Sequence, residues 1–298
     1  MDLHRLHLDG VEARIGRLGA ELVSLRLGGL ERIWSAGPLW PRHAPLLFPI
    51  VGGLKDDTLR HRGVAYHLPK HGFARDREFT WLERTATTCS LQLCDDAATR
   101  AAFPFPFRLT VGYELEASGL TMALTLHNPG EAPLPASLGL HPAFCWPLSP
   151  EIPKANHRLR FPLDEPAPVR RLDAMGLLTP DLHPSPIQGR ELPLHEGLFS
   201  QDALILLEPR SRSVRFEAEG GAALALSWEG FAHLGLWAKT DPGPSFLCIE
   251  PWEGHADPVG WAGEFSDKPG SFQLLPGAIR RWSLGIALGD GGAVGSGL

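Results

Sequence analysis

The stretch from Arg108 to His127, "RLTVGYELEASGLTMALTLH", decides the fold. Leu109, Val111, Tyr113 and Leu115 alternate with other residues, "ASG" interrupts the run, and Leu120, Met122, Leu124 and Leu126 alternate back. A period of two buries one face of each strand, so the segment reads as an antiparallel hairpin. Working outward, "SVRFEAEGGAALALSW" (Ser213 to Trp228) repeats the device with Gly220 and Gly221 as its turn. The N-terminal run from Leu6 to Trp34 adds several more short strands. Abundant glycine (33) and proline (28) cut the rest into similarly short pieces, without βαβ alternation, heptads or a fixed-period repeat. "DAATRAAF" (Asp96 to Phe103) predicts a helical turn or two. Ser149 to Ser200, rich in proline and charge, predicts long loops laid over the sheets rather than a second domain. The expectation is an all-β chain: a large antiparallel β-sandwich with few short helices, one domain over 1–298, and a flexible tail from about 288 to 298.

Composition narrows the function classes. A net charge of −6 argues against nucleic acid or an anionic membrane surface as partner. "MDLHRLHLDG" is polar where a secretory signal needs an apolar stretch, and no apolar run reaches the ~18 residues of a membrane span. The four cysteines contain no CxxC; Cys89 and Cys94 are open to pairing in an oxidising compartment, but on strand-like segments cysteine reads as a small buried hydrophobe. The expected setting is cytoplasmic.

Four segments concentrate groups that hold or move protons. In "PKHGFARDREF", His71 and Arg75 would share a face if the segment is a strand; the plain alternative is a solvated basic edge. In "ASLGLHPAFCW", His141 precedes Pro142, so a strand stops there; the imidazole reads either as a core histidine or as a proton donor titrating near neutrality. In "FSQDALILLEP", Asp202 stands where a turn or strand-start residue would. In "FLCIEPWEGHADP", an apolar run ends in Glu250, flanked by Pro251 and Trp252; buried and unpaired, this carboxylate would have a raised pKa and act as a base, and exposed it would be a strand end. Trp252, Trp237 and Trp146 lie near these segments in sequence, and aromatic faces suit sugar rings as well as cores. The spacing of His61, His67 and His71 matches no strong zinc pattern, "PIVGGLKDD" lacks the phosphate-loop lysine, and GxSxG is absent; no metal is expected.

Taken in order, "LLFPIVGGLKDDTL", "KHGFARDREF", "FPFPF", "GLHPAF", "DALIL", "CIEPWEG" and "DKPGSFQLLPG" resemble the aldose 1-epimerase (galactose mutarotase) family, in its LacX-like branch, almost end to end. The resemblance implies a one-domain β-sandwich and a cofactor-independent isomerase of carbohydrate metabolism, monomer or homodimer, that interconverts the α and β anomers of a hexose or related sugar. It implies His141 as general acid and Glu250 as general base, working as imidazolium and carboxylate. His71 would hold the sugar near its ring oxygen, Asp202 would take hydroxyls, and Arg75 and Trp252 would complete the binding site. One position departs: Gly53 stands where relatives carry an arginine, so that a sugar-binding arginine is either missing or replaced from elsewhere by Arg75, Lys55 or Arg60. A hexose-6-phosphate mutarotase and a non-catalytic carbohydrate-binding or sensing protein are the alternatives.

Overall fold

The structure, a computed structural model, describes residues 2–221, 223–239 and 246–289. Strands Arg108–Glu116 and Gly119–His127 pair antiparallel, with Leu109 opposite Leu126, Val111 opposite Leu124 and Tyr113 opposite Met122. Their alternating residues are all buried, which is why this register and no other is stable: a one-residue slip would turn the apolar set into solvent. The hairpin sits inside a nine-stranded sheet that includes Ser213–Ala218, Ala223–Glu229 and Ile279–Leu288. The N-terminal segment forms a four-stranded antiparallel sheet from Leu3 to Glu31. Among the described residues all strand pairings are antiparallel, apart from single parallel bridges at Phe48–Gly72 and Leu178–Pro258, and the fold is nearly all β. No helix among them is long and apolar enough to cross a membrane.

A six-stranded sheet positions the site. It runs Leu204–Leu206, His233–Trp237, Phe246–Glu253, Leu138–Leu140, Leu46–Leu47, with Ala143–Cys145 also paired to Phe246–Glu253. Alternation divides its side chains cleanly. Leu204, Leu206, Leu234, Leu236, Leu247 and Ile249 enter the main core together with Val111, Leu124 and Leu284 of the nine-stranded sheet, which makes the two sheets the layers of a sandwich. Ile205, Trp252, Phe246 and Cys248 face the other way. Both faces of Phe246–Glu253 are therefore covered, as its near-continuous apolar sequence suggests.

Several local expectations need adjustment. Two strands, His157–Arg160 and Glu191–Pro193, extend the edge of the nine-stranded sheet from within the Ser149–Ser200 stretch, so that region is not loop throughout. Helix Ala97–Arg100, a single turn capped by Asp96, agrees with the expected turn or two. Cys89 and Cys94 are free thiols near opposite ends of one strand, five residues apart and on opposite faces, out of reach of each other. Trp146 belongs to the main core and donates to the carbonyl of Lys154 at 3.2 Å, away from the site. The described residues run to 289, just after strand Ile279–Leu288; from residue 290 onward the expected tail lies outside them.

Candidate active site

His141 and Glu250 meet because one register runs through a broken strand. Gly139 pairs with Trp252 and Ala143 with Cys248, on either side of Pro142, which places His141 opposite Glu250. The imidazole Nε2 lies 3.3 Å from Glu250 Oε2. Strand Phe246–Glu253 continues past Glu250, so the carboxylate is mid-strand and only 1 % exposed rather than a strand end. Trp40 stacks on the His141 ring at 5.1 Å, while Trp237 and His71 contact it edge-on, each at 5.8 Å.

Burial governs the ionisation. The Glu250 carboxyl is pushed well above the usual carboxylate range by desolvation, which the positive charge of Lys70 opposes and the negative charge of Asp202 reinforces. Desolvation likewise lowers the His141 imidazole to about 3. Both shifts favour a pair that is electrically neutral, with its one proton on Glu250. The imidazolium–carboxylate form differs from it by transfer of that proton across the 3.3 Å gap.

The pair lies in a cleft of about 250 Å³, lined also by His71, Arg75, Asp202 and Trp252. All six residues picked from the sequence therefore share one cavity. His71 and Arg75 reach it otherwise than a strand would allow. His71 occupies a left-handed turn (φ 68°), and Arg75 follows in the short 3-10 turn Ala74–Asp76. The His71 N–H donates to the carbonyl of Gly52 at 2.8 Å, and the Gly52 N–H donates to His71 Nδ1 at 3.1 Å. That bond leaves Nε2 as the protonated nitrogen of a ring kept neutral by burial, first, and by the adjacent His141, Lys70 and Arg75. Asp202 is both a turn residue and a lining residue: at φ 64° its carboxylate accepts the Ala203 N–H at 2.7 Å, just before strand Leu204–Leu206.

Trp252 sits against two glycines on neighbouring strands. A Cβ at Gly235 would stand 2.4 Å from its indole, and one at Gly139 would stand 2.6 Å away. The pairing of small residues with a large ring lays the aromatic face flat along the cleft side of the sheet.

The Gly53 departure can be located. Lys55 and Arg60 do not line the cleft, whereas Arg75 does, joined by Lys70. Arg75 is partly engaged, donating to the carbonyl of Lys70 at 2.8 Å. Lys70 and Trp40 are the charged and the aromatic lining residue that sequence reasoning missed. Lys70 adjoins the "HGFAR" motif, a signal that could have found it; Trp40 comes from a loop whose sequence carries none. Gly53 itself is held by Asp257, whose N–H donates to its carbonyl at 2.9 Å and whose carboxylate accepts the Lys55 N–H at 2.9 Å. Buried Lys268 donates to the carbonyl of His255 at 2.6 Å, fixing the loop that brings Ala256 to the cleft.

The ligand atoms of His141, Cys248 and Glu250 lie within 4.8 Å of one another, the one such trio among the described residues. Burial holds the Cys248 thiol well above its usual pKa, so a cation there would have to expel a proton from it. His61 instead packs against Phe105, at 4.6 Å between rings.

The β-sandwich thus brings His141 and Glu250 together in a cleft walled by Trp40, Trp237 and Trp252. Residues 2–273 match the family described as Aldose 1-epimerase, and the chain belongs to that family. It is 31% identical over 270 residues to the plasmid-borne protein LacX of Lactococcus lactis subsp. lactis, covering 87% of this chain and 90% of that one. The chromosomal LacX of the same organism is 30% identical over the same length. Among solved structures, a galactose mutarotase related enzyme from Lactobacillus acidophilus superposes with a TM-score of 0.89 at 28% identity, covering 97% of this chain and 98% of that one. A galactose mutarotase-like protein from Lactobacillus casei superposes with a TM-score of 0.89 at 27% identity, covering 97% of this chain and all of that one.

Proposed function

We propose that this protein is an aldose mutarotase acting on a free, uncharged hexose or related sugar. The observation that carries the reading is the buried His141–Glu250 pair, 3.3 Å apart, at the cleft. Glu250 takes the proton from the C1 hydroxyl while His141 gives one to the ring oxygen. The C1–O5 bond breaks, leaving the open-chain aldehyde, and rotation about C1–C2 presents the other carbonyl face. Closure returns both protons. Charge and protons balance throughout: imidazolium, carboxylate and closed ring become neutral imidazole, carboxylic acid and aldehyde. The protein side of that product state is the neutral form that burial favours; from the neutral resting pair, the reactive ion pair forms by passing the Glu250 proton to His141 across the 3.3 Å gap, a cost that the ring-opening proton transfers return. His71 supplies an N–H donor beside His141, Asp202 accepts sugar hydroxyls at the mouth, and Trp252 and Trp40 give the ring apolar faces.

Two features favour an uncharged sugar over a sugar phosphate. Arg75 already donates to a backbone carbonyl, and Asp202 stands at the same mouth as Lys70, so the cation is opposed by a carboxylate. Four free thiols suit a reducing, cytoplasmic setting.

Polarimetry of freshly dissolved α-hexoses tests the reading: optical rotation should relax to equilibrium faster in proportion to protein added. Binding of sugars with no acceleration of any of them would make the protein a sugar-binding one instead. The pH profile provides a second check. Activity needs one proton on the pair. Adding a second requires titrating His141, near 3, and removing the first requires titrating Glu250, whose pKa is raised. The rate constant should therefore show a broad plateau with no acid limb near histidine's usual 6.5, as measured by exchange NMR on the free enzyme's kcat/KM.

A further inference from the structure

Three metal-ligating side chains meet beside the cleft from segments far apart in the chain, where sequence spacing cannot show them. Cys248 and Glu250 are two residues apart on strand Phe246–Glu253, so their side chains leave the same face. His141 stands opposite Glu250 through the pairs Ala143–Cys248 and Gly139–Trp252. We propose that His141, Cys248 and Glu250 form a zinc site, and that an ion bound there reversibly switches off the acid–base pair. Binding is independent of the mutarotase reading; only its effect on the rate rests on that reading.

The distances suit a small tetrahedral ion. Zinc bonds of about 2.0–2.1 Å to nitrogen and oxygen put those two atoms about 3.3–3.4 Å apart in a tetrahedron. His141 Nε2 and Glu250 Oε2 are 3.3 Å apart. Edges to sulfur come to about 3.6 Å. The three ligand atoms all lie within 4.8 Å of one another, so the thiol has to close by about 1.2 Å at most. Polar atoms here are also short of partners. Glu250 is 1% exposed, yet its Oε2 takes part in no hydrogen bond among the described residues, and neither does His141 Nδ1.

Charge and donor type point the same way. A neutral imidazole, a thiolate and a carboxylate carry two negative charges together, so a divalent ion leaves the buried site neutral. Thiolate and imidazole select zinc over magnesium and calcium, which take six or more oxygen ligands. Of the charged groups that reach the pair, Asp202 favours an incoming cation, whereas Lys70 and Arg75 oppose it.

Two features make the ion a visitor rather than a resident. His141 Nδ1 has no outer partner, a lack that costs about 10- to 100-fold in metal affinity. Cys248 is fully buried and does not line the cleft, so the ion enters past His141 and Glu250, which do. Once seated, it displaces the proton of the pair and occupies the lone pairs that the acid–base chemistry uses.

The test takes the intact protein, dialysed against a chelator, and adds Zn²⁺, Cd²⁺ or Mg²⁺ alone. Titration calorimetry should show one Zn²⁺ per chain at the trio. Cd²⁺ should give the ultraviolet charge-transfer absorption of a cadmium–thiolate bond, and Mg²⁺ should neither bind nor inhibit. Saturating Zn²⁺ should lower the mutarotation rate by about 10²-fold or more, with recovery on adding chelator. Cys248→Ala, and Cys248→Ser as the closer match in shape, should each weaken Zn²⁺ by about 100-fold or more and abolish the absorption. Cys94→Ser, at the exposed thiol, should change neither. No Zn²⁺ binding by wild type, cadmium absorption that survives in both Cys248 variants or disappears with Cys94, unchanged Zn²⁺ affinity in those variants, or full mutarotation with Zn²⁺ bound would overturn the site. If no sugar is turned over, the mutarotase reading fails separately, and calorimetry and absorption still decide the site.

Discussion

Glu250→Gln is expected to lower mutarotation by about 10²- to 10⁴-fold while leaving sugar affinity within a few-fold of wild type. The amide matches the carboxylate in shape, so the wall formed by Cys248, Trp252 and the facing His141 stays in place. On the proposed mechanism, what is lost is the group that accepts the C1 hydroxyl proton, and with it the proton that the pair shares. Because Glu250 is 1% exposed, no solvent-borne base can stand in for it at that position. Exchange NMR between anomers gives the rate, and titration calorimetry gives the affinity. A variant that kept more than a tenth of wild-type activity would remove Glu250 from the base role. Equal losses of binding and rate would instead mark it as a binding residue.

Gly72→Ala is expected to cost about 1–3 kcal/mol of stability and, through displaced geometry, about 10²-fold in kcat/KM. Gly72 has φ 69°, and a Cβ there would lie 2.3 Å from the backbone oxygen of Phe48. Its neighbour across that contact is main chain, which cannot rotate aside. The same backbone oxygen accepts the N–H groups of Phe73 and Ala74, so any shift loosens the turn that carries His71 and Arg75. Urea unfolding measures the first effect and steady-state polarimetry the second. A normal midpoint with normal kinetics would show that the turn tolerates the strain and that its geometry does not position His71.

These two substitutions also mark different kinds of legibility. Gly72 sits in a motif whose residue types could be read, yet the segment was expected to place His71 and Arg75 on one face only if it were a strand. It is a turn followed by a 3-10 segment, and both side chains reach the cleft because backbone bonds to Gly52 and Phe48 pin the turn there. Asp202 shows the converse: the plain reading as a turn residue and the site reading are both met by one backbone conformation. Lys70 adjoins the same motif, a signal of position, although its residue type by itself says nothing of what it faces.

Protonation was the part least available from residue types. The family resemblance implies an imidazolium and a carboxylate as the working pair. In the cleft, desolvation lowers the His141 imidazole, with the positive charges of Lys70 and Arg75 acting in the same sense, and raises the Glu250 carboxyl against the attraction of Lys70, which favours the shared proton on Glu250.

Alternation alone determined the all-β architecture, because a period of two in Leu109–Leu126 can bury its apolar set only in a sheet. Motif order alone determined the family, since seven short segments in sequence are jointly specific where each is not. Only the tertiary structure decided that His141 stands opposite Glu250, through a register carried across Pro142 by pairs on either side, 109 residues apart in the chain. It alone decided that Trp40 covers the imidazole and that the cleft opens into a second groove. The physical reason is range: periodicity and turn chemistry act between neighbours, whereas burial, proton affinity and cavity shape depend on which distant strands are brought side by side.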